Sequence, residues 1–343
     1  MNRRGCKSRT LPWLVALALA PPVGAQPPLY AESARLAARS LLIAVAPAGA
    51  RLVAVGDRGM IVLSDDAGAH WVQAASVPSQ ALLTGVCFLD AQHGVAVGHD
   101  EVILRSADAG RTWRRTHYAP DAQRPLLDVW CGAGGRVIAV GAYSTYLSSA
   151  DGGASWNEVR FIPVPAAGAP AVAATAADEG AGGGYHLNRI VSAGAARLYI
   201  AGEAGHLYRS DDGGDSWRAL KSPYEGSFFG VLPLSQDAVL AFGLRGNLYR
   251  SEDAGSNWRK IDSGTVALLD GAASLSGGAV AIVGLAGAVL VSSDGGHSFT
   301  LLQQNDRAGL SAAVAVGPAT LAAVGERGAK LLAVPGTPAA AAH

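Results

Sequence analysis

Short apolar runs, each closed by a glycine, recur along the chain at near-constant spacing. They read VAVG (53–56), VAVG (95–98), IAVG (138–141), YIAG (199–202), LAFG (240–243), AIVG (281–284) and AAVG (322–325). The closing glycines Gly56, Gly98, Gly141, Gly202, Gly243, Gly284 and Gly325 are 42, 43, 61, 41, 41 and 41 residues apart. A period near 40 marks a propeller or a solenoid. Each run is too short for a helix of ordinary length, and no segment sustains a 3.6-residue period, so a TIM barrel is excluded.

A second string follows in six of the seven units: SDDAGAHW (64–71), SADAGRTW (106–113), SADGGASW (149–156), SDDGGDSW (210–217), SEDAGSNW (251–258) and SSDGGHSF (292–299). The pattern Ser-x-Asp-x-Gly-x-x-Trp/Phe is a turn. The Asp accepts backbone N–H bonds inside it and the Gly supplies a positive φ. The aromatic begins the next strand and packs between neighbouring units. Unit five then divides into strand A at 228–234, B at 238–242, C at 247–251 and D at 258–261. Short connections make successive strands antiparallel neighbours. The expected fold is all-β, a seven-bladed propeller of four-stranded antiparallel blades at about 41–77, 82–118, 126–161, 187–221, 228–263, 268–303 and 310–334.

The seventh unit stops after three strands, and 335–343 reads as a disordered tail. An open ring would leave strand edges bare. Residues 26–40 are therefore expected to close the ring by supplying the missing outer strand, although their composition (AESARLAARS) suits a helix better. The long interval holds an Ala/Gly/Pro-rich insertion at 162–186, read as a mobile D–A loop. In an up-down meander the D–A and B–C connections share one end of the ring. The insertion thus lies opposite the Asp-containing turns.

Composition narrows the function. The chain has 343 residues, with 27 Lys+Arg against 27 Asp+Glu, and half of it is hydrophobic. Zero net charge, with no basic run after the leader, argues against a nucleic-acid partner. The start carries Arg3, Arg4, Lys7 and Arg9, then the ten apolar residues 11–20, then Pro21-Pro22 and small residues before Gln26. That is a secretory signal peptide over 1–25, too short to anchor stably. The mature protein is expected to be exported, to the periplasm or, in a photosynthetic organism, the thylakoid lumen. It is expected to be monomeric and not to span a membrane.

Six equivalent aspartates (Asp66, Asp108, Asp151, Asp212, Asp253 and Asp294) cannot form one asymmetric catalytic constellation, so they read as structural. The Trp residues of the same strings read as core. His99 and the other scattered histidines show no metal-ligand spacing, and no cofactor motif is present. Cys87 and Cys131 occupy equivalent strand A positions in adjacent blades. Side chains that project in one rotational sense point one toward its neighbour and the other away, so no disulfide is expected. Function is expected where the repeat varies, on the B–C and D–A loops. The candidates for a protein-binding face are Arg58, His99, Tyr143, Glu203, Arg245 and Arg327 from B–C loops, with Arg124 and Arg307 from D–A loops.

The Ser-x-Asp-x-Gly-x-x-Trp turn resembles the Asp box of bacterial-neuraminidase repeats. Its pairing with the xVG string, in seven units behind a signal peptide, resembles the photosystem II stability/assembly factor family over residues 41–334. That resemblance implies a non-catalytic chaperone-like scaffold whose partner is a membrane protein or a subunit of a membrane-protein complex. Photosynthetic members bind newly made reaction-centre protein and carry an arginine patch, of which Arg58, Arg245 and Arg327 are a weak counterpart. The competing reading is a sialidase-type glycoside hydrolase, which needs an arginine trio and a Tyr–Glu pair. Here that means Arg58, Arg245 and Arg327 around Tyr143 and Glu203.

Overall fold

The computed structural model describes residues 28–166 and 184–334. Seven sheets follow one another as antiparallel meanders; among the described residues six have four strands and the seventh has three. In blade five the strands are Phe228–Pro233 (A), Val239–Gly243 (B), Leu248–Ser251 (C) and Arg259–Ile261 (D), each within a residue of the span read from the pattern. The helical elements are three-residue turns of 3-10 type. Among the described residues no helix is long and apolar enough to cross a membrane.

The apolar run is strand B, and the packing explains its composition. Both of its faces lie against neighbouring blades, so it is apolar without alternation. All five residues of Val239–Gly243 are buried. Each core cluster spans a blade junction: Leu240 and Phe242 of blade five pack with Leu269, Ile282 and Leu290 of blade six.

The Asp-containing turns cement the opposite end. In the first, Asp66 Oδ1 accepts from the Ser64 hydroxyl at 2.9 Å and from the His70 amide at 2.8 Å, while Ser64 Oγ accepts the Gly68 amide at 2.8 Å. The same bonds recur around Asp108, Asp151, Asp212, Asp253 and Asp294. The glycine of each turn sits on the preceding blade. A Cβ at Gly110 would lie 3.2 Å from Leu63 and Val53, and one at Gly214 would lie 2.5 Å from Ile138. Strand C arginines reach across the same junctions. Arg105 Nε donates to Gly152 O at 2.8 Å, Arg209 Nη1 to Ala254 O at 2.9 Å, and Arg250 Nη1 to Gly295 O. These ties were invisible in the repeat because only blades two, four and five spell them with arginine.

Two expectations need correction. First, the N-terminal segment supplies no strand: blade seven is Leu310–Gly317, Thr320–Gly325 and Gly328–Ala333, with no fourth strand among the described residues. Residues 30–34 instead run along blade one, where the Ala31 amide donates to Val77 O at 2.9 Å and Gln73 Nε2 to Glu32 O at 2.8 Å. The segment then turns through Ala37–Arg39 against the blade-seven hairpin, where a Cβ at Gly328 would meet Ala38 O. At the other junctions that place belongs to the D–A connection, as where Gly59 meets Ser79 O and Gly246 meets Thr265 O. The segment therefore closes the ring as a D–A connection does. Its Ala/Arg-rich composition favours a helical turn over a strand.

Second, Cys87 and Cys131 are disulfide-bonded, with their Cα atoms 5.7 Å apart. The two are not at equivalent positions: Cys87 lies opposite Val95 of strand B and Cys131 opposite Val137, whereas Val95 corresponds to Ile138, the partner of Trp130. Because side chains alternate in direction along a strand, this one-residue offset turns Cys87 and Cys131 to opposite faces and so toward each other, into the junction between blades two and three. Residues 1–25, read as a signal peptide, most of the 162–186 insertion and residues 335–343, read as a tail, lie outside the described residues.

Candidate functional site

The end of the ring opposite the Asp-containing turns is built from B–C turns of one backbone design. The residue after the first turn residue is left-handed in blades one to six: Arg58 (φ 52), Asp100 (59), Tyr143 (55), Ala204 (50), Arg245 (56) and Ala286 (55). This geometry lifts that side chain clear of the sheet, so the position is free to vary. The next residue is glycine in four of these six turns for a steric reason. A Cβ at Gly59, Gly205 or Gly246 would stand 1.9–2.1 Å from the carbonyl oxygen of the D–A connection above it.

Blades two and three break this rule. Glu101 (φ 48) and Ser144 (φ 58) occupy the glycine position in the left-handed region. The D–A connections there are rerouted: one passes through Pro120–Ala122 and the other is the insertion. Glu101 is 2% exposed and takes Arg124 Nε at 2.7 Å and His117 Nε2 at 3.2 Å; Arg124 also binds Glu158 at 2.6 Å. Ser144 receives the returning insertion, its amide donating to Tyr185 O at 2.9 Å.

Next to it, the side chains of Tyr143 and Glu203 meet at His186. The Tyr143 ring stands 5.0 Å from the His186 ring, edge to face, and His186 Nδ1 is 3.4 Å from Glu203 Oε2. Tyr185 stacks on His206 at 3.8 Å. Tyr143 and Tyr185 are 45% and 38% exposed, so the cluster presents aromatic surface to solvent. Aromatic and charged groups thus concentrate where blades two, three and four meet.

Beneath this face, strand A side chains meet in the bore. Arg189 of blade four lies 3.5 Å from Asp270 of blade six and 3.9 Å from Asp128 of blade three. Asp128 Oδ2 also accepts the Ile190 amide at 2.9 Å. Burial pushes the Asp270 carboxyl up to about 6, against the pull of Arg189, and raises Asp128 for the same reason. The Asp-containing turns do the reverse: the His70 amide and ring hold Asp66 down to about 2.

Of the sequence candidates, Tyr143 and Glu203 come together around His186, and Arg124 joins Glu101. Arg58, His99, Arg245, Arg307 and Arg327 are exposed. Arg58 lies 3.8 Å from its neighbour Asp57. Among the described residues no hydrogen bond or ion pair joins Arg58, Arg245 or Arg327 to Tyr143 or Glu203, which sit at the junction of other blades. Arg327 also differs in backbone from Arg58 and Arg245, because Gly325 pairs directly with Gly328 in a tighter hairpin. Sequence reasoning missed His186, Arg189, Asp128 and Asp270. A charged residue in an otherwise apolar strand A was the available signal for the last three. Among the described residues no group of three or more His, Cys, Asp or Glu side chains is placed to hold a metal.

A family model described as photosynthesis system II assembly factor YCF48 matches residues 63–182 and 126–282. No curated protein matches the chain. Among solved structures, YCF48 bound to D1 peptide superposes with a TM-score of 0.67 at 15% identity, covering 92% of this chain and 99% of that one. YCF48 from Cyanidioschyzon merolae gives 0.66 at 16% identity, covering 90% and 99%. The WD40 β-propeller domain of Doa1 gives 0.60 at 12% identity, covering 90% and 97%. At these identities the superpositions speak for the fold alone.

Proposed function

This chain belongs to the photosynthesis system II assembly factor YCF48 family, and from that premise we propose an exported, non-catalytic scaffold that assists the assembly or stability of a membrane-protein complex. It works by holding an extended segment of a membrane protein across the B–C/D–A face. One observation carries the reading: this end of the ring is where equivalent positions bear unlike side chains, and they cluster at blades two to four. A fixed backbone with varied, solvent-facing aromatic and charged groups is suited to docking a polypeptide. Tyr143 and Tyr185 supply rigid contact area at low conformational cost. Arg58, Arg245, Arg307 and Arg327 add cationic points around the rim. The solved relative was captured with a D1 peptide, which supports a peptide of that class as the first probe.

The sialidase reading draws on Tyr143 and Glu203 sharing His186, but the arginine trio it requires is not gathered around them. Binding of a fluorescent D1 peptide, measured by anisotropy, tests the proposal. The paired substitution Arg58→Glu with Arg327→Glu, and separately Tyr143→Ala, should each weaken capture at unchanged Tm. Absence of binding, or unchanged binding in both variants, overturns it. Turnover of a fluorogenic sialoside that disappears in Glu203→Gln would establish the enzyme instead.

A further inference from the structure

Strand C of blade seven, Gly328–Ala333, has a partner on one side only among the described residues. Its hydrogen-bond phase can be read. The Val334 amide donates to Ala319 O at 2.9 Å, continuing the pairing of Leu321 with Leu332 and Ala323 with Lys330. In an antiparallel ladder the bonding direction alternates. Lys330 and Leu332 therefore bond inward to strand B, while Ala329, Leu331 and Ala333 turn their amides and carbonyls outward.

In every other blade a strand D fills this place, as Thr300–Gln303 does against Ala288–Val291 in blade six. The side chains register the difference. Leu63, Val291 and Leu331 oppose equivalent strand B residues, Val53, Ala281 and Ala322. Leu63 is 4% exposed and Val291 8%, but Leu331 is 45% exposed. The described N-terminal residues do not fill the gap: Tyr30, Ala31, Glu32 and Ala34 give their main-chain bonds to blade one and the connection that leaves it.

We propose that this edge is a second docking site, completed by an extended segment of a partner protein that adds antiparallel as the fourth strand of blade seven. The six filled edges of the same chain define what fits: a short strand giving main-chain bonds to Ala329, Leu331 and Ala333, with an apolar side chain to cover Leu331. Strand addition draws its affinity from the backbone and its selectivity from alternate side chains. Lys330, held 3.3 Å from Asp306, is the single charge on the strand. A lysine discourages self-pairing of an exposed edge without preventing addition of a strand. This surface is separate from the loop face proposed above.

Hydrogen exchange on the full chain tests the proposal, with the blade-six strand D supplied as a free peptide (HSFTLLQQ, residues 297–304) as probe. The amides of Ala329, Leu331 and Ala333 should exchange fast in the free protein and about tenfold or more slower with the peptide. Leu331→Pro removes one outward N–H and no bond to strand B, so it should abolish the protection at unchanged Tm. Ala333→Pro is the second variant should the first not fold. Tyr143→Ala, which is expected to weaken docking on the loop face, should leave this protection intact. Protection of these three amides without peptide, or none with it, overturns the proposal.

Discussion

At the Asp-box end of the ring, six turns repeat one set of side-chain bonds. At the other end, six turns repeat one backbone shape and carry different side chains. The first end gains stability from uniformity: Ser, Asp and Gly recur because each junction needs the same hydrogen bonds and the same close approach. The second end gains variety because a left-handed residue lifts its side chain away from the sheet, so Arg, Asp, Tyr and Ala all occur there. Blades two and three go further and place Glu101 and Ser144 where glycine is sterically required elsewhere, with the overlying connection rerouted to make room. Irregularity in backbone and in chemistry therefore coincide at one sector of the face.

The largest effect should come from imposing a side chain where the regular turns exclude one. Gly246→Ala puts a Cβ 1.9 Å from Thr265 O at a φ of +67 and is expected to cost about 3 kcal/mol in chemical denaturation. Ser144→Gly, at the position already free of that constraint, should not destabilise. A smaller loss is expected from Glu101→Gln, which leaves Arg124 and His117 beside a neutral group; roughly 2 kcal/mol is the scale for a lost charged hydrogen bond. Ser106→Ala and Ser251→Ala should each cost about 1 kcal/mol, and by the same amount, since their turns are equivalent. A twofold difference between those two would break the uniformity argued for that end.

The Asp-containing turns and the bore should also respond to pH with opposite sign. Asp66 is depressed to about 2, so its contribution is present above the ordinary carboxylate range and is lost as pH falls toward 2. Asp270 is raised to about 6, so the folded state holds a proton that the unfolded state has released. Its contribution then favours the fold at low pH and is lost as pH rises through 6. Asp270→Asn should flatten the pH dependence of Tm between about 4 and 6 and leave the acid limb unchanged. Smallest of all on stability is Tyr143→Ala, expected within about 0.5 kcal/mol because the ring is surface-exposed.

Most of the architecture was readable from the spacing of the glycines, because a repeated blade writes its period directly into the chain. The strands of blade five and the face on which the insertion emerges followed from that period and the meander rule. What escaped the reading lies between blades. Arg189 meets Asp270 across 81 residues, and Cys87 meets Cys131 at the junction of adjacent blades. The first depends on side chains converging in the bore and the second on a one-residue offset between two A strands, which only the pairing with strand B reveals. The fate of residues 28–40 turned on local propensity. An Ala/Arg-rich segment closes the ring as a turn and leaves the last edge without a strand among the described residues.

Amide hydrogen exchange with and without bound D1 peptide tests the division of labour between the two ends most directly. Slowed exchange at 99–101, 142–144, 185–186 and 203–205, with the Asp-containing turns unchanged, is the predicted result. Slowing confined to the turns at 64–71, 106–113 and their equivalents would contradict it.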